Sequence, residues 1–365
     1  MENGISIYPG LPGEGTIEEN IILLERASAA GLKRLFTSLQ IPESDPEHLQ
    51  HDLRRLLAAA RKLDFEIISD VSPTTLELLD MAEFNPLSFR LLGITTLRLD
   101  NGFSPADIAR LTHTRGLKIQ LNASTLTPSD LAAIMEAKAD PQHLDAMHNF
   151  YPRRGTGLSQ ELIARRNLIL HRLGIRVGAF VPSRHHHRGP LNEGLPTLEE
   201  HRDMPVGLAA RHLVALGIDS VFIGDSLPGS DEIQALASVS EQPGEVCLNA
   251  RLLTDDETAR SLLQHTFTSR IDAARDVVRA QESRRLLREA GKHIAPDNRP
   301  RTMRPTGAIT IDSSAYGRYE GELQIIRIPQ PADPRTNIVA MVDEEEINLI
   351  QYITPGRKFS FRFHT

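Results

Sequence analysis

The chain has 365 residues, of which 40% are hydrophobic and 24% charged, with a formal net charge of -7 and a single cysteine. That length exceeds what one core usually serves, so two domains are expected. The acidic balance argues against nucleic acid as the main partner, Cys247 alone excludes an internal disulfide framework, and no run approaches the roughly 20 apolar residues of a membrane span. The opening Met1-Glu2-Asn3-Gly4-Ile5 carries neither a basic nor an apolar leader, so a cytoplasmic location away from membranes is expected.

Short β-rich runs recur along the first two-thirds of the chain: 4–8, 33–38, 65–70, 94–100, 117–122, 145–151, 175–181 and 219–225. Their spacing of roughly 25–30 residues, longer before the last, is the period of a βα unit. Helical patterns lie between them, as over 17–30, 49–63, 159–173 and 198–216, and several end in a glycine just before the next strand, such as Gly93 and Gly217. Strict alternation implies parallel strands joined by right-handed crossovers, and eight of them close into a (β/α)8 TIM barrel. No strand runs into a GxGxxG turn, which disfavours a dinucleotide-binding open sheet. The pattern changes after Ser240. Glu241-Gln242-Pro243-Gly244 reads as a linker between a barrel over 1–243 and a second domain over 244–365. There a helical, basic stretch over 254–290 precedes alternating runs at 308–311, 321–328, 337–342, 347–353 and 358–363, which suggest a small β-rich, barrel-like domain.

A barrel of this type builds its site at the C-terminal strand ends. These ends deliver Tyr8, Thr37 and Ser38, Asp70, Arg98 with Asp100, Asn122, His148 with Asn149 and Tyr151, and Asp225. Strand alternation places Arg98 with Asp100, Lys118 and Gln120 with Asn122, and Glu66 with Asp70 on inward faces, and Glu66 with Lys118 is the expected buried ion pair. Glycosidic cleavage needs two carboxylates, one to protonate the leaving oxygen and one to stabilise or attack the anomeric carbon. Asp70, Asp100 and Asp225 are the catalytic candidates, with Glu193 from the long loop after strand seven placed among the substrate-binding residues. With no tryptophan in the chain, tyrosine and phenylalanine would have to stack on sugar rings. His148 and the carboxylates could instead hold a divalent ion, but no HxH or HExxH spacing stands at a strand end, so neither metal nor other cofactor is expected. The run His185-His186-His187 reads as a solvated loop. Arg153, Arg154, Thr156 and two glycines at a helix start form a candidate phosphate site, with Arg153 and Thr156 as the side chains that grip.

Several of these segments resemble one bacterial family. They are Ile5-Ser6-Ile7-Tyr8-Pro9-Gly10, Arg34-Leu35-Phe36-Thr37-Ser38-Leu39, Asp70-Val71-Ser72-Pro73, Leu97 to Phe103, His148–Tyr151 with Thr156-Gly157-Leu158, and Arg188-Gly189-Pro190 through Glu199. The chain resembles the 6-phospho-N-acetylmuramidases; Arg154 stands where that family's motif commonly has proline. The resemblance extends to the second domain through Ala308–Asp312 and Tyr319–Ile325, and implies a TIM barrel followed by a cyclophilin-like domain. It further implies hydrolysis of 6-phospho-N-acetylmuramyl-N-acetylglucosamine in cell-wall recycling. Two other readings stay open beside it: a sugar-phosphate-binding sensor, and a barrel lyase or aldolase for which Lys118 is the inward lysine. The second domain is expected to signal, to close over the barrel mouth or to form a homodimer contact.

Overall fold

The computed structural model describes residues 2–38, 46–71, 84–100, 102–239, 245–297, 299 and 302–364. They form two compact units, Met1–Pro243 and Gly244–Thr365. The candidate linker 241–244 lies outside the described residues. Among the described residues no helix is long and apolar enough to cross a membrane.

In the first unit eight parallel strands close into a barrel in chain order: β1 Gly4–Ser6, β2 Arg34–Ser38, β3 Glu66–Val71, β4 Thr96–Leu99, β5 Lys118–Asn122, β6 Leu144–Met147, β7 Arg176–Val181 and β8 Ser220–Ile223. The seam is the β1–β8 pairing, Gly4 opposite Phe222. The described helices that alternate with them are α1 Ile17–Ala29, α2 Pro46–Lys62, α3 Pro86–Leu91, α4 Pro105–Thr112, α5 Pro128–Glu136, α6 Gln160–His171, α7 Val206–Ala215 and α8 Ser230–Ala237. Local chemistry starts them. Thr16 and Glu19, Ser104 and Asp107, and Thr127 and Asp130 form capping boxes that satisfy otherwise orphaned N–H groups. Gly93 and Gly217 turn the chain back to the next strand at φ 96° and 87°, where a side chain would be strained.

One helix is shorter than its periodicity predicts. The pattern over 198–216 yields a 3-10 turn at Glu199–His201 and then α7, because Pro205 has no N–H to continue a helix through it. The freed turn is used by the loop beside it, as described below.

Alternation divides each strand between two environments. Leu97, Leu99, Ile119 and Leu121 are buried on the side away from the lumen. At the N-terminal end of the lumen Arg34 binds Glu66 and Asp145, both at 3.0 Å, while Lys118 lies 3.6 Å from Glu66. The expected Glu66–Lys118 pair is therefore one edge of a four-charge cluster centred on Arg34. Above it Tyr8, Phe36, Ile68, Met147, Phe180 and Phe222 fill the barrel with an apolar plug, the Phe36 and Phe180 rings meeting edge to face at 5.3 Å.

The second unit is built on β9 Val246–Leu252, β10 Phe267–Thr268, β11 Val277–Arg279, β13 Ala308–Asp312, β14 Leu323–Ile326, β16 Thr336–Val342 and β17 Lys358–His364, with a small ribbon of β12 Met303–Arg304 and β15 Gln330–Pro331. The main sheet runs β10-β17-β9-β16-β13-β14-β11. Its two end strands meet: Ser269 bridges Ala280, and the Gln281 amide donates to the Thr268 carbonyl at 2.9 Å. The sheet thus rolls up on itself and hides its edges. Two expectations are corrected here. The stretch 254–290 is not one helical region but α9 Glu257–Leu263, β10, β11 and α10 Ser283–Glu289. The run 347–353 is not a strand but part of a 3-10 helix, Glu344–Tyr352, whose buried Leu349 and Ile350, with Ile353 just beyond it, follow a helical spacing.

Candidate active site

The ends of β3, β4 and β5 carry the most reactive arrangement. Strand register sets Ser38 beside Asp70 and Asp70 beside Arg98. The Ser38 hydroxyl donates to the Asp70 carboxylate at 2.8 Å. One residue past β4, Asp100 is exposed and accepts from the Asn122 amide at 2.9 Å. Arg98 is buried between them and donates to the Asn149 side chain. Burial presses its guanidinium below the ordinary value, while Asp70 and Asp100 pull it back up. Two carboxylates thus lie on the same rim in the field of one desolvated cation.

Around β7 and β8 the polar residues have other work. Asp225 is fully buried, and its two oxygens accept from the backbone amides of Ser183, Arg188 and Leu195 at 2.9–3.1 Å. Burial pushes its carboxyl up although all three amides pull it down. With those donors in place Asp225 fastens the loop after β7, a structural use that the sequence reading of it as a catalytic candidate did not include. Glu14 does the same from the other side, accepting from the Gly189 amide at 2.7 Å with His186 at 3.3 Å. Tyr8 is buried with its hydroxyl donating to the Gly224 carbonyl at 2.7 Å, and burial raises its phenol; its ring carries the Arg188 guanidinium, 4.5 Å from the centroid.

Three further residues depart from the sequence expectation. His148 follows the inward-facing Met147 and so points away from the lumen; its ring nitrogens sit 3.2 Å from the Ser124 hydroxyl and 3.0 Å from the Asn167 amide oxygen. Burial lowers it to about 4, and with a protein partner at each ring nitrogen it serves as a structural imidazole. Thr37 lies between inward Phe36 and Ser38 on β2, and alternation turns its fully buried side chain outward; it cannot share the mouth with Ser38. The loop after β6 is the third case. The amides of Gly155 and Gly157 donate to the two oxygens of Glu199 at 2.8 and 2.7 Å, and Arg202 holds the same carboxylate at 2.7 Å. The Arg202 bridge, with the amides, draws Glu199 down to about 2. A protein carboxylate already occupies the amide nest expected to take phosphate.

The rest of that loop is also accounted for. Arg154 forms a double contact with Asp203, its amide donates to Glu193 at 2.6 Å, and the Thr156 hydroxyl donates to the Arg153 carbonyl at 2.6 Å. Buried Arg202 ties the carbonyls of Tyr151, Arg153, Glu193 and Gly194 together. Tyr151 is half-buried and contributes to the field at Arg98. Among the described residues the exposed Arg153 guanidinium makes no ion pair. Arg202, Glu199 and Glu14 as loop anchors were missed because their partners are backbone groups, which leave no motif. Lys118, the lysine a Schiff base would need, sits at the opposite end of the barrel against Glu66. Among the described residues no group of three or more metal-ligating side chains converges.

A closed barrel with paired carboxylates about an arginine on its C-terminal rim, followed by a rolled β domain, defines a two-domain barrel enzyme of the glycoside hydrolase kind. Residues 3–238 match the family described as 6-phospho-N-acetylmuramidase, N-terminal, and residues 246–362 match its C-terminal counterpart. The chain belongs to the 6-phospho-N-acetylmuramidase family and is a glycosidase acting on a phosphorylated amino sugar. Two solved structures are similar over nearly their whole length. An uncharacterized protein of B. cereus shares 31% identity over 99% of this chain and 100% of its own, with a TM-score of 0.82. A conserved Enterococcus faecalis protein with an unknown function shares 32% identity over 100% of this chain and 97% of its own, with a TM-score of 0.68. A comparison with curated proteins gives no match.

Proposed function

We propose that this chain hydrolyses 6-phospho-N-acetylmuramyl-N-acetylglucosamine during cell-wall recycling in the cytoplasm, with Asp70 and Asp100 as the carboxylates that act on the bond. The observation that carries the reading is the placement of both groups beside Arg98 at the rim, Asp70 by strand register and Asp100 one residue past β4 against Asn122. One carboxyl delivers a proton to the departing oxygen as the bond to the anomeric carbon lengthens. The other stabilises the positive charge that grows on that carbon, either directly or by orienting the substrate's own N-acetyl carbonyl for attack; water then adds and the proton returns. Ser38, Asn122, Asn149 and Tyr151 orient the hydroxyl and acetamido groups. Arg153, exposed beside Thr156, meets the phosphate through its side chain, since the neighbouring amides belong to Glu199. The second domain is read as cyclophilin-like, in keeping with its rolled sheet.

Release of N-acetylglucosamine from the phosphorylated disaccharide tests this directly. The expected result is turnover that is strongly reduced when the phosphate is removed. A protein inert on both forms at micromolar concentration would end the proposal. The acid is identified by leaving group: its Asn variant recovers on a nitrophenyl glycoside, which needs little protonation, whereas the variant of the stabilising carboxylate does not.

A further inference from the structure

The loop after β7 carries a cation that has no counter-charge among the described residues. Arg188 is half-buried, with its guanidinium 4.5 Å from the Tyr8 ring centroid and 4.9 Å from that of Phe150. Its Nε is buried without a hydrogen bond, and among the described residues its side chain makes no hydrogen bond or ion pair. Two deeply buried guanidiniums of the barrel unit are paired by contrast: Arg34 with Glu66 and Asp145, Arg202 with Glu199. Removing N–H donors from water without a partner is costly, so an unpaired, partly desolvated arginine marks a place where an acceptor arrives from outside.

The backbone around Arg188 is built to hold that side chain still. Asp225 takes its own amide at 2.9 Å, and Glu14 takes the next amide, Gly189, at 2.7 Å. Further back, Glu232 takes the Ser183 hydroxyl and the Arg184 amide, both at 2.6 Å. Three carboxylates thus clamp one loop, and the rings of Tyr8 and Phe150, standing at 84° to each other, flank the guanidinium. A guanidinium held by ring contacts still presents paired donors along its free edge, the geometry suited to two parallel hydrogen bonds with an oxyanion. Tyr8 follows β1 and Phe150 follows β6, so Arg188 stands over the mouth of the apolar plug.

We propose that Arg188 reads the negative charge of the sugar, donating to an anionic oxygen group, either the 6-phosphate or the lactyl carboxylate of the muramyl unit. The assignment rests on the substrate class proposed above and adds the residue that selects it. Asp225 and Glu14 then act through Arg188, as positioning residues.

Binding is measured by calorimetry on the full chain and on R188Q and R188K, with three anionic monosaccharide probes and neutral N-acetylglucosamine as control. The anionic probes are 6-phospho-N-acetylmuramic acid, 6-phospho-N-acetylglucosamine, which lacks the lactyl group, and N-acetylmuramic acid, which lacks the phosphate. R188Q is expected to weaken the doubly anionic probe by roughly 10- to 100-fold, the worth of a charge-assisted hydrogen bond, with R188K intermediate. Of the two singly anionic probes, the one weakened to the same degree carries the group that Arg188 reads. Unchanged affinity for all three, failure of the wild type to bind any, or an equal loss for neutral N-acetylglucosamine would overturn the assignment, the last by showing a merely structural role. No turnover is needed, so an inert protein that still binds anions through Arg188 would sink the hydrolase reading alone.

Discussion

The β3–β5 side of the barrel rim and the β7–β8 side carry the same kinds of residue and use them in opposite ways. On the first side Asp70 and Asp100 are held by side-chain donors, Ser38 and Asn122, and lie in the field of Arg98. On the second side Asp225, Glu14 and Glu232 accept from the backbone of the loop after β7. A carboxylate whose oxygens are taken by amides is part of the scaffold; one met by side-chain donors at the rim is placed for chemistry. Position at a strand end selects both kinds equally, and only the identity of the donors separates them.

The largest expected effect breaks the comparison most directly. Asp70→Asn and Asp100→Asn should each lower kcat by about 10²–10⁴-fold, the usual worth of a proton-transfer or charge-stabilising group, with the unfolding midpoint little changed. Steady-state release of N-acetylglucosamine, with thermal melts alongside, checks it; a variant that keeps its rate shows that its carboxylate is not in the chemistry.

Asp225→Asn should do the reverse. Replacing a buried acceptor of three amides removes about 2–4 kcal/mol of stability, read as a lower urea midpoint, while folded enzyme retains most of its kcat. If instead kcat collapses while the midpoint stays put, the two sides of the rim do not differ as described.

The smallest effect concerns His148. Its folded value of about 4 lies below the ordinary 6.5, so the unfolded chain binds the proton more readily. The contribution is fully present above about pH 6.5 and is lost as pH falls toward 4, in total roughly 3 kcal/mol. In His148→Gln the fall in stability between pH 7 and pH 4.5 should be shallower by about one proton's worth. An identical slope in both proteins would mean that the imidazole is not held neutral.

Much of the fold was legible because its signals are local. The alternation of short β runs with capped, glycine-ended helices specified eight parallel strands, and pleat parity put Arg98 with Asp100 and Glu66 with Asp70 on shared faces. Parity was also available for Thr37 and His148, which stand one residue out of phase with inward Phe36 and Met147. The 198–216 helix was over-extended because its apolar period continues through Pro205, where backbone chemistry overrides pattern.

The sequence alone therefore determined strand order, the rim and which residues face the lumen, since these follow from backbone geometry a few residues at a time. The tertiary structure decided who meets whom: Arg34 with Asp145 across 111 positions, Glu199 in the amide nest that looked ready for phosphate, and Asp225 beneath the loop that carries Arg188. Such pairings depend on the path of whole loops through space. A carboxylate drawn to a backbone amide by that path leaves no pattern in the order of the residues.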